Sequence, residues 1–91
     1  MGAVAETIRA KLSRAFSPNR LEVEDDSHRH HGHSGARPEG ETHFNVVIEA
    51  RVFEGQGRVQ RQRAVYGALK EELAGPVHAL SLKALAPGEI D

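Results

Sequence analysis

The sequence predicts an α+β domain in which a three-stranded mixed sheet carries its helices on one face, in the order α-β-β-α-β. Three observations predict it. Apolar residues recur at three- and four-residue steps over 3–16, and on alternate positions over 44–52. A second helical stripe then closes at Gly75-Pro76 ahead of a last alternating segment. A chain of 91 residues has room for one core, so the simplest packing sets both helices against the same face of the sheet. The whole chain, 1–91, is expected to be a single domain, with a flexible His/Gly-rich loop over 27–41 and a short tail over 87–91.

The first helix covers 3–16, where Val4, Ile8, Leu12, Ala15 and Phe16 form a stripe and Arg9, Lys11 and Arg14 lie off it. Ser17-Pro18-Asn19 ends it, because proline disfavours helix in the residue before it. Leu21 and Val23 alternate with Glu22 and Glu24 as a short half-buried strand, which runs into a solvated acidic stretch at Asp25-Asp26. Roughly fifteen residues of His, Gly, Ser, Arg and Pro follow without periodicity, and a loop that long in so small a domain is functional or disordered. In the second strand Phe44, Val46, Ile48, Ala50 and Val52 share one parity, opposite His43, Asn45, Glu49 and Arg51. Phe53-Glu54-Gly55-Gln56-Gly57 turns the chain into a second helix from Arg58 to Leu73. Val59, Val65, Tyr66, Leu69 and Leu73 lie within a face about 120° wide on that helix. Leu80, Leu82 and Ala84 alternate with Ser81 and Lys83 in the last strand.

Composition narrows the chemistry. The chain has no cysteine, which excludes disulfides, a thiol nucleophile and any self-sufficient zinc-thiolate or iron–sulfur site. No apolar run approaches the ~20 residues of a membrane span, and Glu6 interrupts what would be the apolar part of a secretory leader. A soluble, cytoplasmic protein of a reducing compartment is the expectation, with no membrane partner. Twelve basic residues balance thirteen acidic ones, whereas dedicated nucleic-acid binders carry a positive excess because counterion release supplies much of their affinity. No Ser/His/Asp or Cys/His constellation is recognisable, so no enzyme and no small-molecule substrate are expected.

Histidine stands out. Of six, four (His28, His30, His31 and His33) fall within six consecutive residues. Such a tract binds nickel, zinc or copper adventitiously as readily as it serves a purpose. His43 opens a strand on its polar face, where a hydrogen-bonded structural role competes with a place beside a metal. His78 precedes the last strand, where a satisfied structural histidine is equally at home. A basic stretch competes for function: over 51–63, four arginines face one glutamate. Arg58, Arg61 and Arg63 after a Gly-rich turn suit phosphates or a major groove. Yet Arg61 and Arg63 project about 160° apart around a helix axis, and Gly55-Gln56-Gly57 lacks the GxxG of an RNA-gripping loop. The same flank suits an acidic protein surface.

The strings GETHF (40–44), FEGQGRVQRQRAVYGALKEEL (53–73) and VHALSLKALAP (77–87) together resemble the BolA family, and the resemblance runs from about Ile8 to Pro87. It implies an α-β-β-α-β fold similar to the type II KH arrangement. It also implies a heterodimer with a monothiol glutaredoxin, sharing a glutathione-ligated [2Fe–2S] cluster in iron–sulfur cluster trafficking and iron homeostasis. The alternative it implies is a DNA-binding transcriptional regulator of stress response and cell morphology. The cluster ligands it implies are His78 and a loop histidine, His33, with His30 as the near competitor; His43 is a weaker metal candidate. Where the family commonly has histidine between two arginines, this chain has Gln62. The ligand chemistry is consistent: two imidazoles replace two thiolates on one iron in Rieske centres, so a thiol-free chain offers nitrogen while partner and glutathione supply sulfur.

Overall fold

The computed structural model describes residues 2–26 and 42–89. The loop assigned to 27–41, with His28, His30, His31 and His33, lies outside the described residues. The elements are α1 (Ala3–Phe16), β1 (Arg20–Asp25), β2 (His43–Glu49), α2 (Arg58–Ala68), α3 (Lys70–Ala74) and β3 (Ala79–Leu85), with a 3-10 turn at Arg51–Phe53 between β2 and α2. The expected α+β order is present, with the second helix divided in two.

The sheet order is β1-β2-β3; β1 pairs antiparallel and β3 parallel to the central β2. The register lines up three inward rows: Leu21–Ile48–Ala84, Val23–Val46–Leu82, and Phe44–Leu80. Directly opposed residues share a face, so these rows present one apolar surface. Ala5, Ile8 and Leu12 of α1 and Val65 and Leu69 of the second helical region close over it in one buried cluster. The opposite face is polar, with Glu22 and Lys83 flanking Val47, and Asn45 Nδ2 donating to Glu24 Oε1 at 3.0 Å.

Four sequence expectations need correction. Ala15 is exposed and Ala5 buried instead, because the inward stripe of α1 runs through Ala5, Ile8 and Leu12. Val52 does not continue the inward parity of β2. After Ala50, whose amide donates to the Leu85 carbonyl at 3.0 Å, the backbone leaves the sheet as a 3-10 turn. Phe53 is thereby buried, its ring 5.3 Å from that of Phe16, while Val52 is 49% exposed. Gly55, at φ +78°, follows Glu54 at φ −60°, ψ 130°, and the Gln56 amide donates to the Phe53 carbonyl. This is a type II turn, which needs a positive φ at its third position. The helix that follows enters at an angle that leaves Val59 57% exposed rather than on the buried face. The run to Leu73 is interrupted at Leu69, whose amide is shared among the Val65, Tyr66 and Gly67 carbonyls. Gly67, a poor helix former, sits just before that break. Lys11 of α1 holds the next segment, with Nζ 2.8 Å from both Glu71 Oε1 and Glu72 Oε2.

Candidate functional site

Two sets of polar side chains lie at opposite ends of β3. At its start, the chain leaves α3 through buried Val77, whose amide donates to the Glu72 carbonyl at 2.9 Å. The amides of His78 and Ala79 both donate to the Thr42 carbonyl, at 2.7 and 3.1 Å. Those two hydrogen bonds to one carbonyl fix the strand entrance against the start of β2, where His43 pairs with Ala79. The two imidazoles are therefore brought together by the parallel register, with ring centroids 5.2 Å apart and planes 52° apart. They differ in access. His43 is only 7% exposed, and its Nδ1 is hydrogen-bonded to the Thr42 hydroxyl at 2.9 Å. His78 is exposed. The Asp26 amide donates to the His43 carbonyl at 2.7 Å, so Asp26 and Thr42, the described residues on either side of 27–41, both lie at this end.

Chemically this end presents one accessible ring nitrogen donor beside a second, largely buried one. Among the described residues no group of three or more His, Asp or Glu side chains is placed to hold a metal ion. A metal centre here therefore takes further donors from outside the described residues. His33 and His30 lie among those, and the structure describes neither.

The basic end is built differently. Arg61, one of three arginines that suited phosphate contacts, is not available for them. Its Nε donates to the Gln56 carbonyl at 2.9 Å and its Nη1 to the Ala84 carbonyl at 3.0 Å. Nη1 and Nη2 also grip the two carboxylate oxygens of Glu89 at 2.6 and 3.0 Å, and the side chain is 13% exposed. Glu89 Oε1 also accepts from the Ala86 amide at 2.9 Å. The Arg61 hydrogen bonds, and then that amide, hold the Glu89 carboxyl down at about 2. Arg58 and Arg63 are exposed and make no ion pair among the described residues. The three arginines are thus two surface cations and one structural clasp.

Glu89 was missed by the sequence reading, which placed it in a tail, and so was Thr42. Glu89 lies 28 residues from its partner, with no local pattern to betray the pairing. Thr42 had a signal, since a hydroxyl residue entering a strand beside a histidine has a ready bonding partner.

A family model described as BolA-like protein matches residues 12–89. The chain belongs to the BolA-like protein family. BolA-like protein 1 of Mus musculus is 47% identical over 88 residues, covering 97% of this chain and 61% of that protein. SufE-like protein 1, chloroplastic/mitochondrial, of Arabidopsis thaliana is 42% identical over 94 residues, covering 99% of this chain. Among solved structures, the BolA domain of SufE1 from Arabidopsis thaliana superposes with a TM-score of 0.88 at 42% identity, covering 99% of both chains. The chain spans 25% of the length of SufE-like protein 1 and 61% of mouse BolA-like protein 1. In the BolA-like chain itself, no helix among the described residues is long and apolar enough to cross a membrane.

Proposed function

We propose that this BolA-like chain is a non-enzymatic partner of a monothiol glutaredoxin, acting in the cytoplasm in iron–sulfur cluster trafficking and iron homeostasis. His78 and a loop histidine, His33 or alternatively His30, supply imidazole to a [2Fe–2S] cluster shared with glutaredoxin and glutathione. The observation that carries the reading is the exposed His78 ring, anchored through its own amide to Thr42 in a BolA-family chain without cysteine. The donor set fits the group: an iron whose sulfur ligands come from elsewhere accepts neutral imidazole, and histidine ligation raises the reduction potential of such a cluster. His43, with Nδ1 engaged by Thr42, packs beside the ligand ring rather than serving as the first donor.

Because ligation requires deprotonated imidazole, cluster binding weakens as pH falls through the histidine range. The deciding experiment mixes the chain with a monothiol glutaredoxin, glutathione, iron and sulfide, and records absorption and circular dichroism. His78→Ala abolishes the mixed-complex signature and His33→Ala weakens or abolishes it. An unchanged spectrum after both substitutions overturns the proposal. The second reading, transcriptional regulation through DNA contact, is supported by exposed Arg58 and Arg63 but loses Arg61 to Glu89. It requires that Arg58→Ala with Arg63→Ala lower DNA affinity and its salt dependence.

A further inference from the structure

An exposed imidazole binds poorly until something fixes its direction. Three χ1 wells and a roughly two-fold χ2 give a surface histidine about six arrangements, and only a minority of them aim a ring nitrogen at any one point. Metal-binding histidines are ordinarily steadied by a hydrogen bond from the ring's second nitrogen. His78 is not held in that way. Among the described residues its backbone amide donates to Thr42, and its ring makes no hydrogen bond. What the ring meets is the ring of His43, with centroids 5.2 Å apart and planes 52° apart. That separation and tilt lie in the range that aromatic pairs prefer, and such a contact orients a ring without occupying a nitrogen.

His43 suits that task because it is itself held. It is 7% exposed, and its Nδ1 is hydrogen-bonded to the Thr42 hydroxyl at 2.9 Å. Thr42, 2% exposed, also accepts through its carbonyl from the His78 and Ala79 amides at 2.7 and 3.1 Å. One buried residue therefore sets the backbone of His78 and, through His43, the wall on which the His78 ring rests. Its β-branch restricts χ1, so hydroxyl and carbonyl keep a fixed relation. We propose that Thr42 and His43 are positioning residues, which hold the His78 imidazole in one rotamer and leave its ring nitrogens for a ligand. The purpose of that orientation, ligation of the shared cluster, rests on the function proposed above; the orientation itself does not.

The test begins with the full chain, isotope-labelled and metal-free. Three-bond couplings across the His78 χ1 torsion, and nuclear Overhauser effects between the two rings, report the orientation. The unsubstituted chain is expected to show one dominant His78 rotamer. His43→Leu removes the ring and averages the couplings, whereas His43→Phe keeps an aromatic wall and the single rotamer. Thr42→Val keeps the backbone acceptor but removes the hydroxyl on His43 Nδ1, so the couplings move toward the average; Thr42→Ser recovers them. Should His43→Leu not fold, the two Thr42 variants carry the same comparison. In the mixed complex with a monothiol glutaredoxin, glutathione, iron and sulfide, loss of the cluster to a chelator is expected to quicken about tenfold for His43→Leu, and to stay near the unsubstituted rate for His43→Phe. Unaltered His78 couplings in the His43→Leu and Thr42→Val chains, with only a lowered urea midpoint, overturn the proposal and leave the pair a purely structural role. Loss of the spectrum in His43→Phe as complete as in His78→Ala overturns it in favour of direct ligation by His43. An unsubstituted chain that forms no mixed cluster defeats the function proposed above, while the metal-free couplings still decide the positioning.

Discussion

At the start of β3 the His78 ring stands exposed beside His43, while at its end, about 20 Å along the strand, the Arg61 guanidinium is engaged by two carbonyls and a carboxylate. Both ends look alike in composition, each a cluster of one residue type near a glycine-rich segment. Satisfaction distinguishes them. A side chain whose hydrogen-bonding capacity is used inside the fold contributes to stability and has little left for a partner. His78 is anchored through its backbone, which leaves its ring for chemistry, whereas Arg61 is anchored through its side chain, which does not.

Substituting the two residues separates the roles most sharply. His78→Ala is expected to remove the mixed-cluster spectrum entirely while changing unfolding free energy by about 0.5 kcal/mol or less, as for an exposed side chain whose contact with the fold is a single ring edge. Arg61→Ala is expected to do the reverse: the cluster spectrum persists, and urea denaturation shows a loss of about 1–3 kcal/mol, since the Gln56 and Ala84 carbonyls lose their donor. Arg61→Lys recovers only part of that loss, because an ammonium cannot reproduce the planar fork on Glu89. A His78→Ala protein that unfolds as easily as Arg61→Ala would erase the distinction.

Within the histidine end, Thr42→Val keeps the volume and removes the hydroxyl that holds His43 Nδ1. Stability should fall by about 1 kcal/mol, and the imidazole NMR signals of His43 should shift. The clasp at the other end has a pH signature. The Glu89 carboxyl sits at about 2 in the folded chain, below an ordinary value near 4.5. A depressed folded value means the stabilisation is complete above the ordinary value and is lost as pH falls from about 4.5 toward 2. Acid denaturation of Glu89→Gln should therefore show a shallower loss across that window than the unsubstituted chain; identical profiles would remove Glu89 from the account.

The sheet and α1 were legible because burial on one face imposes a period that the sequence must carry. Leu21, Val23, Phe44, Val46, Ile48, Leu80, Leu82 and Ala84 all lie on the inward rows. The proximity of His43 and His78 was not legible residue by residue, since it follows from a parallel register set by α2 and α3 between the strands. The sequestering of Arg61 was hidden for the same reason. A free arginine and a paired one have identical local sequence, and only the fold brings Glu89 back to α2.

Val52 and Val59 mark where periodicity misleads. Alternation over 44–52 extends two residues past the point at which the backbone leaves the sheet, and the helical stripe starts one turn too early. Both valines are about half exposed. Val52→Thr and Val59→Gln are therefore expected to change stability by only about 0.5 kcal/mol in either direction. Were either side chain in the core its parity suggested, removing buried methyl groups would cost several times more. Urea midpoints measured on the two variants at constant m-value decide between these geometries. A loss above about 2 kcal/mol for Val52→Thr would mean that β2 runs on past Ala50 and carries the turn at Gly55 with it.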